Sequence, residues 1–246
     1  MRSLAKSLFR YAGLEVSHWD KSPMHTLLGL RGIRFHSIVD GGANEGQFAR
    51  WIATFFPLAH IYAFEPLPGP YAQLKAWART RPGTVSTFNL ALGESAKDVT
   101  MSLHIGHTSS SSLLEATRLN DAIYPETRQR STVVVKQDAL DDVLSRASAP
   151  LDGEILVKLD VQGYEDRVIA GARRTLALAR ACILEVMLDE LYSGQAHFPD
   201  LVKSLSELGF RYAGNLEQHY AADGHVIFLD AVFVRDAHQA TLTQAQ

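Results

Sequence analysis

Ile38-Val39-Asp40-Gly41-Gly42-Ala43-Asn44-Glu45-Gly46-Gln47-Phe48 is an apolar run that ends in an acid, passes through small residues and enters a segment with helical periodicity. That is the order of strand, tight loop and helix. Glycines let the backbone approach a ligand, and the helix start adds free N–H groups. A triphosphate loop needs Lys and a hydroxyl after its second glycine. Gly41 and Gly46 have the spacing, but Gln47 and Phe48 stand where those residues belong. The dinucleotide pattern Gly-x-Gly-x-x-Gly fails in both frames, meeting Ala43 in one and Asn44 and Gln47 in the other. What remains is an acid followed by Gly-x-x-x-Gly, from Asp40 through Gly42 to Gly46. It suits a ligand with an ammonium group and no phosphate, which Asp40 can face directly or through water.

Nineteen residues after Gly46, Glu65 ends a second apolar run, Tyr62-Ala63-Phe64-Glu65-Pro66. An acid at that place pairs with a ribose diol, and Pro66 stops the strand so that the carboxylate stands at the sheet's carboxyl edge. From about residue 35 onward, short apolar runs alternate with helical patterns, which predicts an α/β fold with a mostly parallel sheet and helices on both faces. Strands are expected at 35–40, 60–65, 85–90, 132–136, 155–160 and 181–187, and a further one at 99–105. Helices are expected at 47–56, 70–79, 140–146, 165–178 and 199–208. Two late strands, 225–229 and 231–235 with a turn at Asp230, are expected to supply an antiparallel edge. The polar tract 106–112 breaks the alternation and marks a loop that is either disordered or functional.

The 246 residues are 46% hydrophobic, enough for one sizeable core. The division read from the pattern is an N-terminal helical extension at 1–30, a Rossmann-like domain at 31–236 and a frayed tail at 237–246. A formal net charge of -3 offers no field for gripping nucleic acid. No run approaches the roughly 20 apolar residues that span a bilayer, and no secretory leader is evident. With the single cysteine Cys182 in an apolar run, a cytoplasmic protein is expected. Arg2, Lys6 and Arg10 with Leu4, Ala5, Leu8 and Ala12 read as an amphipathic helix packed on the domain, the alternative being a basic helix lying on a membrane surface or partner. Homo-oligomerisation is left open.

Five segments, in this order, resemble the FkbM family of S-adenosylmethionine-dependent methyltransferases. They are Val39 to Gly46, Ala63-Phe64-Glu65-Pro66, Asn89-Leu90-Ala91-Leu92-Gly93, Val157-Lys158-Leu159-Asp160-Val161-Gln162-Gly163-Tyr164-Glu165, and Ile183-Leu184-Glu185-Val186. The resemblance covers about residues 35 to 190. It implies a class I methyltransferase fold with S-adenosylmethionine as cofactor, and commonly O-methylation of a hydroxyl on a sugar, glycan or polyketide-like small molecule. By that similarity, Asp40, Gly41, Gly42, Ala43, Asn44 and Gly46 hold the methionine part, and Glu65 with Pro66 the ribose. Asn89, Ala91 and Leu92 border the adenine, and Asp138 is a further cofactor candidate.

Methyl transfer to a hydroxyl needs alignment and a proton acceptor at the same sheet edge. Asp160, at the end of the run 155–159, is the first candidate, with a helix cap as its structural alternative. Glu165, just after it, reads as structural. Glu185 interrupts an apolar strand and needs a partner or solvent there. With Asp160 it makes a two-carboxylate divalent-metal pair that lacks a third ligand, so metal dependence is not the favoured reading. His104, His107 and His219 could serve as bases, His107 being the one chosen as a catalytic candidate. Ser110, Ser111, Tyr164 and Glu185 are the expected substrate contacts, with Tyr192 and Tyr220 as further ring faces. The alternatives are an NAD-dependent oxidoreductase or epimerase and a non-catalytic cofactor-binding module.

Overall fold

The computed structural model describes residue 11 and residues 19–151 and 153–235. The expected N-terminal amphipathic helix and the tail after 236 lie outside the described residues. A helical turn at Pro23–Thr26 precedes β1 (Phe35–Gly41), α1 (Gln47–Ile52), β2 (His60–Phe64), α2 (Pro68–Ala78), β3 (Val85–Phe88), β4 (Ala91–Gly93) and β5 (Lys97–His104). There follow α3 (Arg118–Ile123), β6 (Arg130–Ala139), α4 (Leu140–Arg146), β7 (Glu154–Leu159), α5 (Glu165–Ala170), α6 (Arg173–Leu178), β8 (Ala181–Met187), α7 (Phe198–Glu207), β9 (Arg211–Tyr220) and β10 (Val226–Val234). No described helix is long and apolar enough to cross a membrane.

Every residue of β1 except His36 is buried, as a strand covered on both faces requires. Its alternate side chains feed two cores. Val39, with Phe64, Val157, Leu159 and Leu184, packs on α4 to α7, whereas Ile38, with Ile61, Leu156 and Ile183, packs on α1 and α2. The main sheet has the order β3-β2-β1-β7-β8-β10-β9. β1, β2, β3, β7 and β8 are mutually parallel, and β10 runs against both of its neighbours. The antiparallel edge is therefore present, built from β10 one strand in and β9 outermost. Because the chain steps outward from β1 through β2 to β3 and then returns to β7 on the other side, the sheet has a switch point between β1 and β7. Ligands bind in the crevice beyond the carboxyl ends at such a point.

Four expectations change. The run 132–136 belongs to β6, which lies in a separate three-stranded sheet of order β4-β6-β5, because the eight residues of β5 claim its hydrogen bonds. The pattern 165–178 is two helices. Gly171 packs so closely that a Cβ there would lie 2.0 Å from the Gly93 carbonyl oxygen, and Asp141 accepts from the amides of Arg174 and Thr175 at the start of α6. Asp230 is not a turn but the middle of the unbroken β10, opposite Glu185 of β8. β9 is a strand that no apolar alternation announces. Its residues are mostly exposed or half-buried, as an edge strand permits.

The loop after β1 is sealed against its neighbours. The amides of Gly42 and Ala43 donate to the Phe64 carbonyl at 3.1 and 2.9 Å, and the Asp160 amide donates to the Gly41 carbonyl at 2.9 Å. Gly42 has φ +80°, and a Cβ on it would sit 1.8 Å from the Asp160 carbonyl oxygen. Both φ and the space exclude a side chain, and the obstacle is backbone. Gly42→Ala is expected to cost about 2–4 kcal/mol of stability in urea unfolding, and an unchanged midpoint would refute this close approach.

Candidate functional site

Asp40 and Lys158 are register partners at the switch point. Asp40 has no exposed surface, and neither carboxylate oxygen has a hydrogen-bond partner of good geometry. Burial raises its pKa to about 6, against the pull of Lys158, whose Nζ lies 4.0 Å away, and a weaker pull from the Ala49 amide. Lys158 Nζ is 2.8 Å from Asp160 Oδ2 and 5.3 Å from the centre of the Phe48 ring. Burial alone would lower the pKa of this ammonium. The charges of Asp160 and Asp40 outweigh it and hold Lys158 above its ordinary range.

Asp160 begins the turn from β7 to α5. Burial acts to raise its pKa, but the Lys158 charge and hydrogen bonds from Glu185, Lys158 and Gln162 hold it below the usual carboxylate range. Glu185, on β8, lies well above that range through burial and the neighbouring Asp160 charge. Of these two neighbouring carboxyls, Asp160 is therefore the more readily ionised and Glu185 the more readily protonated. Asp230, beside them on β10, is raised to about 6 by burial.

On the other side of the switch point, Glu65 is clamped. Its Oε2 accepts from the Asn44 amide at 2.9 Å and its Oε1 from the Leu67 amide at 2.7 Å. Burial raises its pKa to about 7 in spite of those bonds. Asn89 donates to the carbonyls of Glu65 and Pro66, both at 2.9 Å, so it braces this corner. Glu165 bonds the amides of Val161 and Gly163 at 3.0 and 3.3 Å, which makes it the clamp of the Asp160 turn. This is the structural role read for it.

Three cavities meet at Asp160. The first, about 430 Å³, is bounded by Gly42 to Asn44, Phe48, Trp51, Lys158, Glu185 and Asp230. The second is a narrower slot between Glu65, Pro66, Ala91, Leu92, Met101 and Tyr164. The third, about 300 Å³, lies between His107, Ser110, Asn120, Tyr124, Tyr192 and His219. Ser109 reaches all three, and Thr108 bonds Asn44 at 3.3 Å, so the polar loop is folded over the glycine loop.

The expected residues distribute themselves unevenly. Gly42, Ala43, Asn44, Glu65, Pro66, Ala91 and Leu92 line the first two cavities, whereas Gly41 and Gly46 act through backbone shape alone. Asp138 is turned to Arg146 and to the Ala139 amide, in the second sheet, and lines none of the three. Tyr164 and Ser111 stand in the slot with Glu65, while His107, Ser110 and Glu185 line the third cavity. His107 bonds the Ser110 hydroxyl at 2.8 Å. His104 is buried away from all three cavities, and burial lowers its pKa to about 4. His219, stacked on Phe228 with ring centres 4.1 Å apart, lines the first and third, whereas Tyr220 is 62% exposed and lines none. Asp160 and Glu185 gather no third metal-binding side chain among the described residues, and the cation beside Asp160 is Lys158. Sequence reading passed over Lys158, Gln162 and Asp230. The apolar runs that hold Lys158 and Asp230 carried the signal, since a charge inside a buried strand requires a partner.

The strand order with a reversed β10 inside the edge, and the acids at the ends of β1, β2 and β7, define a class I methyltransferase fold. A methyltransferase FkbM from Methylobacillus flagellatus has the same fold, with a TM-score of 0.54 and 13% identity over 89% of this chain and 48% of that one. The description "Methyltransferase FkbM domain" matches residues 40–212, and the chain belongs to that family. It is 29% identical to the 2-O-methyltransferase NoeI of Sinorhizobium fredii over 168 residues, 64% of this chain and 66% of NoeI. It is also 29% identical to the AMB antimetabolite synthetase AmbE of Pseudomonas aeruginosa over 61% of this chain and 8% of that protein. The chain thus spans just under two thirds of NoeI and a small part of AmbE. Methyl transfer, not hydride transfer, is the activity of its family.

Glu165 keeps its proton in the folded state up to about pH 8, whereas the unfolded chain releases it near the ordinary value. Its contribution to stability is therefore complete at low pH and is lost as pH rises through about 8. In Glu165→Gln the amide oxygen can accept the same two bonds, and the fall in thermal midpoint between about pH 5 and 8 is expected to flatten by roughly one proton's worth. A decline as steep as the wild type's would refute the assignment.

Proposed function

We propose that the protein is an S-adenosylmethionine-dependent O-methyltransferase acting on a hydroxyl of a sugar, glycan or polyketide-like small molecule. The observation that carries this reading is the Asp160 carboxyl, 2.8 Å from the Lys158 ammonium at the point where three cavities converge.

The residues present fit the cofactor. Glu65, already fixed by two amides, keeps lone pairs for a ribose diol, and the slot beside it offers the apolar side chains of Leu90, Ala91, Leu92 and Met101 to an adenine ring. No Lys or Arg lines that slot among its described residues, so it is not built for a phosphate. Gly42 to Asn44 suit the methionine end, and Asp40, buried behind them without a hydrogen-bond partner of good geometry and lining none of the three cavities, would act on a positive ligand through its charge rather than by contact. When bound, S-adenosylmethionine supplies an electrophilic methyl group on a positively charged sulfur.

The chain's own residues then have three tasks. The third cavity, with His107, Ser110, Tyr124 and Glu185, would receive the acceptor and present its hydroxyl to Asp160. Asp160 would take the hydroxyl proton. A hydroxyl becomes strongly acidic as its oxygen forms the new bond, so a carboxylate of low basicity suffices, provided that it is ionised. Lys158 guarantees that state. The Thr108 to Ser111 loop, closed over the glycine loop, would exclude water. Keeping so many acids buried around one ammonium is costly, which favours a catalytic use over an inert cofactor-binding module. The similarity to a 2-O-methyltransferase supports oxygen as the acceptor atom. A single buried cysteine is compatible with the cytoplasm as its place.

Asp160→Asn is expected to bind S-adenosylhomocysteine within about threefold of wild type by calorimetry, yet to lose at least about a hundredfold in methyl transfer to a panel of hydroxylated acceptors. Full turnover would remove Asp160 as the base. Glu65→Ala is expected to weaken S-adenosylhomocysteine at least about tenfold, or about 1.4 kcal/mol, and unchanged affinity would remove the ribose contact.

A further inference from the structure

The side chain that joins Asp160 to Glu185 is Gln162. Its Nε2 donates to Asp160 Oδ1 at 2.8 Å and also to Glu185 Oε2, so one amide nitrogen uses both of its protons on the two carboxyls. Its Oε1 accepts from the Tyr192 hydroxyl at 2.8 Å. The amide is placed this way round because a flip would set its oxygen against the Asp160 carboxylate, which can only accept when ionised, and would take the N–H₂ away from both carboxyl groups. Tyr192 is itself fixed. It is 1% exposed, and its hydroxyl also lies 2.8 Å from the Ser110 carbonyl of the covering loop.

The backbone at Gln162 is held out of its preferred region as well. Gln162 has φ +55°, a left-handed conformation that is unfavourable for a non-glycine residue. The Ser112 hydroxyl bonds the Gln162 carbonyl at 2.7 Å and keeps the residue there. Glycine follows at 163 with φ +90°, so the left-handed turn would be cheaper with glycine at 162 too. A glutamine in that place is explained by its side chain. We propose that Gln162 is a positioning residue for methyl transfer: it ties the Asp160 and Glu185 carboxyls into one unit, with Tyr192 setting the direction of its amide. This rests on Asp160 as the proton acceptor and gives that residue its geometry. With Oδ2 accepting from Lys158 and Oδ1 from Gln162, the Asp160 carboxylate has a fixed orientation where it lines the three cavities.

Other charges also face Asp160: Lys158 on its own strand, Asp40 on β1, Glu185 on β8, Asp230 on β10, and Glu65 and Glu165 at the ends of β2 and the turn. A test must therefore isolate the bond from Gln162. Carboxyl carbon-13 NMR titration of the whole protein, without cofactor or acceptor, does so. In Gln162→Met, which keeps length and loses both donors, the Asp160 midpoint is expected to rise by about one pH unit while that of Glu65 stays put. In the milder Tyr192→Phe, where the amide loses its orienting partner, it is expected to rise by about half a unit. An unmoved Asp160 midpoint in folded Gln162→Met overturns the proposal, and if that variant does not fold, an unmoved midpoint in Tyr192→Phe does so. The readout needs no turnover, so its failure is separate from a failure of Asp160 as the base, which only methyl transfer by Asp160→Asn reveals.

Discussion

One ammonium group holds the carboxyl edge of the sheet together. Lys158 extends from the middle of a buried strand into a nest of acids contributed by β1, β7, β8 and β10. Without it, Asp40, Asp160 and Asp230 would face one another in a dry crevice, and an unpaired buried charge costs several kcal/mol. With it, the charges sort themselves. Asp160 is held below the usual carboxylate range and Glu185 well above it, while Asp40 and Asp230 are raised to about 6. Two carboxyls a hydrogen bond apart thereby acquire opposite roles, a separation that environment alone produces.

The fold makes that nest possible through the switch point. β1 and β7 are adjacent and parallel, so their ends present Asp40 and the Asp160 turn side by side, and the loops that leave them diverge to opposite sides. Glycine at 42 is what lets the two turns touch, since its Cα sits against the Asp160 carbonyl. The reversed β10 then brings Asp230 level with Glu185 from a distant part of the sequence. The second sheet and the 106–112 loop roof the same crevice and divide it into a slot and two wider cavities.

Much of this was legible beforehand, and the reason is local. Strand β1, the glycine loop and the ends at Glu65 and Asp160 are each specified by a few consecutive residues whose pattern has one physical solution. Apolar runs covered on both faces announce central strands clearly. β9 escaped because an edge strand needs no such pattern, and β6 was read into the wrong sheet because alternation shows that a strand exists and not which strand it joins. Asp230 was mistaken for a turn, since an acid inside an apolar run has that look until its neighbour across the sheet is known. The split at Gly171 depends on the Gly93 backbone, nearly eighty residues away in the chain.

The site divides along the same line. The class of fold, the glycine loop and the acids that end β1, β2 and β7 follow from short-range pattern and backbone sterics. That Asp160 and Glu185 are shifted in opposite directions, that Lys158 stands among the acids, and that Gln162 bridges Asp160 and Glu185 depends on contacts between distant parts of the chain. Tertiary structure also removed Asp138 and His104 from the cavities by turning them to other partners or burying them. The physical reason is that pKa and hydrogen-bond direction are set by neighbours within a few ångströms, and those neighbours arrive from β1, β7, β8 and β10, strands that lie next to one another only after the chain has folded.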